Sequence, residues 1–128
     1  MTRSTSTLAG WLVEFWRSLA PNTYVIEPEV NMLDEWRTAF AWRGAPLTFD
    51  RRSKLVLRGG RTLVRLSDIK SVDIQHVYRD DERPEYWRVS LGTGTFSSVE
   101  IGTTRDDVEA SIAAARLSTV AGVKVRAL

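Results

Sequence analysis

The sequence predicts an α+β domain. A curved, mostly antiparallel sheet is capped by a C-terminal helix, and an extra amphipathic helix stands at the N-terminus. Three observations carry this. Between residues 47 and 102, short runs of alternating apolar residues are separated by turn residues, the period of strands half-buried in a sheet. After Thr104 the apolar spacing lengthens to three and four, the period of a helix with one buried face. Near the start, Leu8, Trp11, Leu12, Phe15, Trp16 and Leu19 make a second stripe of that spacing.

Each element has its local reason. Thr5 or Ser6 caps the first helix, which runs to about Leu19 and stops at Pro21-Asn22. Thr23–Ile26 reads as a short strand that Pro28 limits. Residues 31–43 fit two patterns. Met32, Leu33, Trp36, Ala39 and Phe40 suit a helix, whereas Trp36, Thr38, Phe40 and Trp42 suit a strand; the expectation is helix in the first half and strand near the end. Gly44-Ala45-Pro46 breaks that segment. Leu47–Asp50 is a strand, and Lys54–Arg58 and Arg61–Leu66 form a hairpin about Gly59-Gly60. A turn at Ser67-Asp68-Ile69 leads to a long strand over Ser71–Arg79. The charged loop Asp80–Pro84 precedes strands over Tyr86–Leu91 and Phe96–Gly102. Thr104 with Asp107 opens the last helix in a capping-box-like way. Val108, Ile112, Ala113, Leu117 and Val120 are its expected buried face, and Gly122 ends it. Val123–Arg126 is expected to pair as a terminal strand.

Composition narrows function by exclusion. The 128 residues fit one domain, long enough to bury a core without staples. No cysteine is present, so disulfide and thiolate chemistry are ruled out. His76 is the single histidine, too few for a zinc site, and it is read as a satisfied or surface residue. The adjacent acids Asp34-Glu35, Asp80-Asp81-Glu82 and Asp106-Asp107 point apart on a strand or helix and make no paired carboxylate site. Gly92-Thr93-Gly94 is followed by a strand and is a turn, not a nucleotide loop. The expectation is a protein that is not an enzyme and needs no cofactor or metal. No apolar run is long enough to span a membrane, and no leader is recognisable, which points to the cytoplasm.

From Pro46 onward the order of elements resembles the bacterial pleckstrin-homology-like (PH-like) domains. The residues that carry the likeness are Pro46-Leu47-Thr48-Phe49-Asp50-Arg51, a hairpin, Leu66-Ser67-Asp68-Ile69-Lys70-Ser71-Val72, Trp87-Arg88-Val89-Ser90-Leu91, Val99-Glu100-Ile101-Gly102 and the helix from Arg105. The likeness covers roughly residues 46–121, so that residues 1–45 form an N-terminal helix and connecting segment and 46–128 the PH-like unit, the whole being one compact body. It implies a bent sheet of several strands closed by the C-terminal helix, and a role in binding or oligomerisation rather than catalysis. It supplies no ligand and no binding residue, because one fold hosts many functions.

Two features are candidates for partner contact. From Arg51 to Leu66 the chain holds Arg51, Arg52, Lys54, Arg58, Arg61 and Arg65 with no acid. With Gly59-Gly60 as the loop, Arg58 faces Arg61, Leu57 faces Thr62, Val56 faces Leu63, Leu55 faces Val64 and Lys54 faces Arg65. Leu55, Leu57 and Val64 then form the core face, while Lys54, Val56, Arg58, Arg61, Leu63 and Arg65 line the outer one. Like charges opposite one another call for an anion, from an adjacent strand or from a nucleic acid or phospholipid headgroup. The second feature is the stripe with Trp11, Phe15 and Trp16, expected to pack within the fold or on another copy of the chain. Its polar face has too few cations for a lipid-surface helix. Arg and Lys residues with Tyr78, Tyr86 and Trp87 could form a stacking platform for nucleic acid, against which stand the net charge of +2 and the lack of any known signature. The reading that follows is a non-catalytic module for protein–protein interaction or self-association, with anionic-ligand binding through the basic hairpin as the alternative.

Overall fold

The computed structural model describes residues 25–78 and 84–128. The N-terminal helix with Trp11, Phe15 and Trp16, the start of the strand expected at Thr23, and most of the loop from Asp80 lie outside the described residues. Within them the chain forms two sheets and one C-terminal helix, the α+β arrangement expected. The first sheet is an antiparallel meander of five strands: β1 (Glu29–Met32), β2 (Arg37–Ala41), β3 (Leu47–Asp50), β4 (Leu55–Arg58) and β5 (Arg61–Arg65). A 3₁₀ turn at Leu66–Asp68 leads into the second sheet, made of β6 (Ser71–Val77), β7 (Tyr86–Gly92) and β8 (Ser98–Thr104), also antiparallel. Helix α1 (Asp107–Ala121) follows, and β9 (Val125–Ala127) returns to pair with β6 in parallel.

The segment 31–43 is a hairpin, not a helix followed by a strand. Asp34 decides it. Its Oδ1 accepts from the backbone N–H groups of Trp36 and Arg37, each at 2.8 Å, and its Oδ2 accepts from Arg37 Nε at 2.9 Å. An aspartate that bonds the main chain two and three residues on stabilises a turn in place of a helix. These bonds, led by the one from Trp36, hold the Asp34 carboxyl below its ordinary pKa. Asp50 repeats the device after β3, accepting from the N–H groups of Arg52 and Ser53. That turn closes through Lys54 at φ 64°, so β4 begins at Leu55.

The basic hairpin turns at Gly59-Gly60 as expected, both glycines having positive φ. Its register is as expected through Arg58–Arg61 and Leu57–Thr62, then slips by one residue. Val56 pairs with Val64 and Leu55 with Arg65, leaving Leu63 as a bulge. A slip of one exchanges the two faces of a strand. Val56 is therefore the core residue of β4, while Leu55 and Leu57 are half-buried.

The core joins Phe40, Trp42, Leu47, Phe49 and Val56 of the first sheet to Val72, Val89, Leu91 and Ile101 of the second and to one face of α1. That face is Ala110, Ala113, Ala114 and Leu117, together with the carboxylate of Glu109. The expected face was partly misplaced. Ala113 and Leu117 are buried, but Val108 is 61% and Ile112 38% exposed. Small alanines let the helix axis approach the sheet closely, and the bulkier β-branched residues turn outward. The N-cap is Asp106 and not the expected Thr104: Asp106 Oδ1 accepts from the N–H of Glu109 at 2.9 Å, while Thr104 Oγ1 accepts only from the N–H of Asp106, ahead of the helix. Gly122 in the left-handed region ends the helix.

The rotation of α1 sets a contrast. Leu117→Ala should cost about 2–5 kcal/mol, as a fully buried leucine does, whereas Ile112→Ala should cost under about 1.5 kcal/mol. Urea denaturation of the two variants measures both. Equal losses, or a larger one at Ile112, would contradict this helix orientation.

Candidate functional site

Two clusters lie where the first sheet, the helix and the chain arriving from the N-terminal segment meet. At the first, Glu109 is 1% exposed and accepts four hydrogen bonds. Its Oε1 takes the backbone N–H of Ile26 at 3.1 Å and Arg43 Nη2 at 2.9 Å. Its Oε2 takes Trp42 Nε1 at 2.7 Å and Arg43 Nε at 2.5 Å. Burial works to raise the carboxyl pKa, but the bonds from Arg43, from Ile26 and from Trp42 outweigh it and hold the group below the ordinary glutamate range. The Trp42 ring lies against Gly102 of β8, where an added Cβ would sit 2.8 Å from Cζ3. Two turns further along the same helix side, Arg116 bonds the Pro28 carbonyl oxygen and the Glu27 carboxylate. Helix α1 thus fastens residues 26–28, which lead directly into β1.

β1 is the second feature. All four of its residues are exposed, and it is the outer strand of its sheet among the described residues. Val30 is 40% exposed and Met32 72%, with Leu33 and Trp36 of the following turn also exposed. Between β1 and α1 runs a groove of about 390 Å³ lined by Val30, Arg116, Thr119 and Val120. Together these make an apolar edge whose outer main chain pairs with no other strand among the described residues, the type of surface that pairs with another strand.

The basic hairpin does not present four free cations. Arg58 turns inward, its Nε donating to the Ala45 carbonyl at 3.1 Å and its Nη2 to the Ile101 carbonyl at 2.9 Å, which ties the two sheets together. Arg65 pairs with Asp68 at 3.1 Å. Lys54 and Arg61 are exposed, with no ion-pair partner among the described residues. The charge opposite charge at Arg58–Arg61 is relieved by backbone carbonyls rather than by an acid from a neighbouring strand.

The aromatic residues of the second sheet divide between its faces. His76 stacks on Trp87 with ring centres 4.4 Å apart and planes 4° from parallel, and Tyr78 tilts against His76 at 4.3 Å. Tyr86 points to the other face, where its hydroxyl accepts from Arg88 Nη2. His76 Nε2 lies 3.1 Å from Glu85. Among the described residues no three His, Asp or Glu side chains gather as metal ligands would, and no helix is long and apolar enough to cross a membrane.

Sequence reasoning missed Glu109 as an organising residue. A signal was present: Glu109, Ala113 and Leu117 are spaced by four, so the glutamate lies on the buried line of the helix. β1 was missed because the helical and strand patterns overlap over residues 31–43. Comparison with known proteins finds no matching family, no similar curated protein and no similar solved structure.

Glu109→Gln should destabilise the fold by about 3 kcal/mol at neutral pH, because an amide can accept from these donors at only one of its two terminal atoms and the charge-assisted bonds from Arg43 to the carboxylate are lost. The pH dependence has a defined sign. A carboxyl with a depressed folded pKa contributes its full stability above the ordinary glutamate range and loses it as pH falls through the depressed value. Asp34 and Asp50 are shifted the same way, so the wild-type protein and the variant share their contribution. The stability gap between the two should therefore narrow steadily on acidification below that range. A gap independent of pH down to the acid transition would contradict the assignment.

Proposed function

We propose that this protein is a non-catalytic assembly module of PH-like architecture that self-associates through the free edge of its first sheet. The observation that carries the reading is β1: a wholly exposed edge strand, flanked by exposed Met32, Leu33 and Trp36, and held in place by the helix through Glu109 and Arg116. The PH-like part is supported by element order, a meander of strands, a second three-strand meander and a helix laid against it. A second copy is the partner that fits. In a two-fold antiparallel pairing centred between Val30 and Asn31, Glu29 falls opposite Met32, so the strand's one charge meets no like charge. The apolar stripe with Trp11, Phe15 and Trp16 adds a further association surface in this proposal, since aromatic residues bury large areas at low entropy cost. Ligand binding at the basic hairpin has less support, because Arg58 and Arg65 are already engaged and only Lys54 and Arg61 are left to contact an anion.

Sedimentation velocity over a range of concentrations tests this. The full chain should form dimers whose stability changes little with salt. Val30→Lys with Met32→Lys, which places charges on the edge, should give a monomer with an unchanged circular dichroism spectrum. A full chain that stays monomeric throughout, or a dimer unaffected by the double change, would defeat the edge-pairing proposal.

A further inference from the structure

At the end of the second sheet where β6 and β9 begin, an open cavity of about 540 Å³ lies beside the β7–β8 loop. Lys70, Lys124 and Arg126 line it, together with the hydroxyl-bearing Ser71 and Thr95 and the backbone at Gly94. Three separate parts of the chain supply these groups, and each is fixed. The Lys70 N–H bonds the Gly92 carbonyl at 2.7 Å, and the Lys124 carbonyl accepts from the Val72 N–H at 2.9 Å. The loop bearing Thr95 is closed by the bond from Thr93 N–H to the Ser97 carbonyl at 3.0 Å.

Arg126 is the best-placed group. Asp73, 3% exposed, holds its guanidinium from both oxygens, accepting from Nε and from Nη2 at 3.1 Å each. Ser71 Oγ donates to the same carboxylate at 2.7 Å. The backbone makes room for this arrangement at Gly92, where a Cβ would lie 2.4 Å from Ser71 Oγ and 2.7 Å from Asp73 Oδ2. A buried carboxylate thus orients a guanidinium at the cavity wall and leaves its Nη1 uncommitted among the described residues. Lys124 likewise has no ion-pair partner among them, and Lys70 Nζ reaches only the Ser67 carbonyl, at 3.4 Å. Three cations against one carboxylate leave an excess of positive charge around the opening. A smaller hollow of about 240 Å³ adjoins through Arg126 and is lined by Phe96, Ser97 and Ser98.

We propose that this cavity binds a soluble phosphate-bearing small molecule, its phosphate seated among Lys70, Lys124 and Arg126 and its polar remainder extending over the Thr95–Ser98 loop. The volume suits a metabolite-sized ligand, and oriented cations with neutral hydroxyl donors are what a phosphate dianion requires. A carboxylate-held guanidinium is preorganised, so less ordering is lost on binding than at a free surface arginine.

The test uses the full chain, with sodium pyrophosphate and inorganic phosphate as probes against sodium chloride at matched ionic strength, read by two-dimensional amide NMR. Pyrophosphate should shift the amides of Thr95, Lys124 and Arg126 in a saturable way. Lys70→Ala with Lys124→Ala should weaken binding by about tenfold or more, each lost charge-assisted contact being worth up to that factor. The melting temperature should hold, because neither ammonium supports the fold. Shifts matched by chloride, shifts confined to the basic hairpin, or binding unchanged in the double variant would overturn the proposal. So would attachment to anionic phospholipid vesicles with no response to either soluble probe, which would make the face a membrane contact.

Discussion

The buried carboxylate of Glu109 is the constraint on which the rest of this structure depends. It sits at the start of α1 and receives donors from the end of β2 and from the segment that enters β1. An ionised group is costly to bury unless every lone pair finds a donor. Here four donors converge on it, and satisfying them fixes three elements at once. The helix cannot rotate without drawing the carboxylate away from Arg43, which is why Val108 and Ile112 face outward and the alanines face the sheet. Trp42 cannot swing without losing its bond, so its ring stays against Gly102 and fills the junction between the two sheets.

A comparable economy governs the second sheet. Asp73 is nearly as buried as Glu109, and its partner Arg126 comes from the last strand. That bond draws β9 onto the edge of β6 in parallel, covering an edge that would otherwise be free. The two sheets thus differ in their exposed edges. The β6 edge is covered by the chain's own C-terminal strand, whereas the β1 edge is open and apolar among the described residues. The contrast leaves β1 exposed among the described residues, while the start of β9 borders an open hollow lined by Lys70, Lys124 and Arg126.

Arg58 shows how a like-charge pair can be built into a fold without a ligand. Its guanidinium reaches the carbonyls of Ala45 and Ile101, oxygens left over at the end of one sheet and in a strand of the other. Backbone carbonyls carry enough partial negative charge to orient a guanidinium, and the resulting bridge joins the sheets where no strand pairing does. A cluster of arginines in a sequence is therefore weak evidence for an anionic partner until the carbonyls near it are known.

The sequence by itself determined the strand order from Leu47 to Gly102, the glycine turn of the hairpin, and the end of the last helix at Gly122. These follow from interactions between residues close along the chain: alternation and positive-φ glycines. Only the tertiary structure decided the hairpin between Glu29 and Ala41, the one-residue slip at Leu63, the rotation of α1 and the separation into two sheets. The hairpin and the slip turn on which of two overlapping local patterns prevails, whereas the rotation of α1 and the joining of the two sheets turn on partners distant in the chain. Glu109 is 66 residues from Arg43 and Arg58 is 43 from Ile101. Asp73 meets Arg126 across 53. Local patterns specify which residues can form an element, but which side of it is buried is set by the polar groups that must be satisfied once distant segments meet.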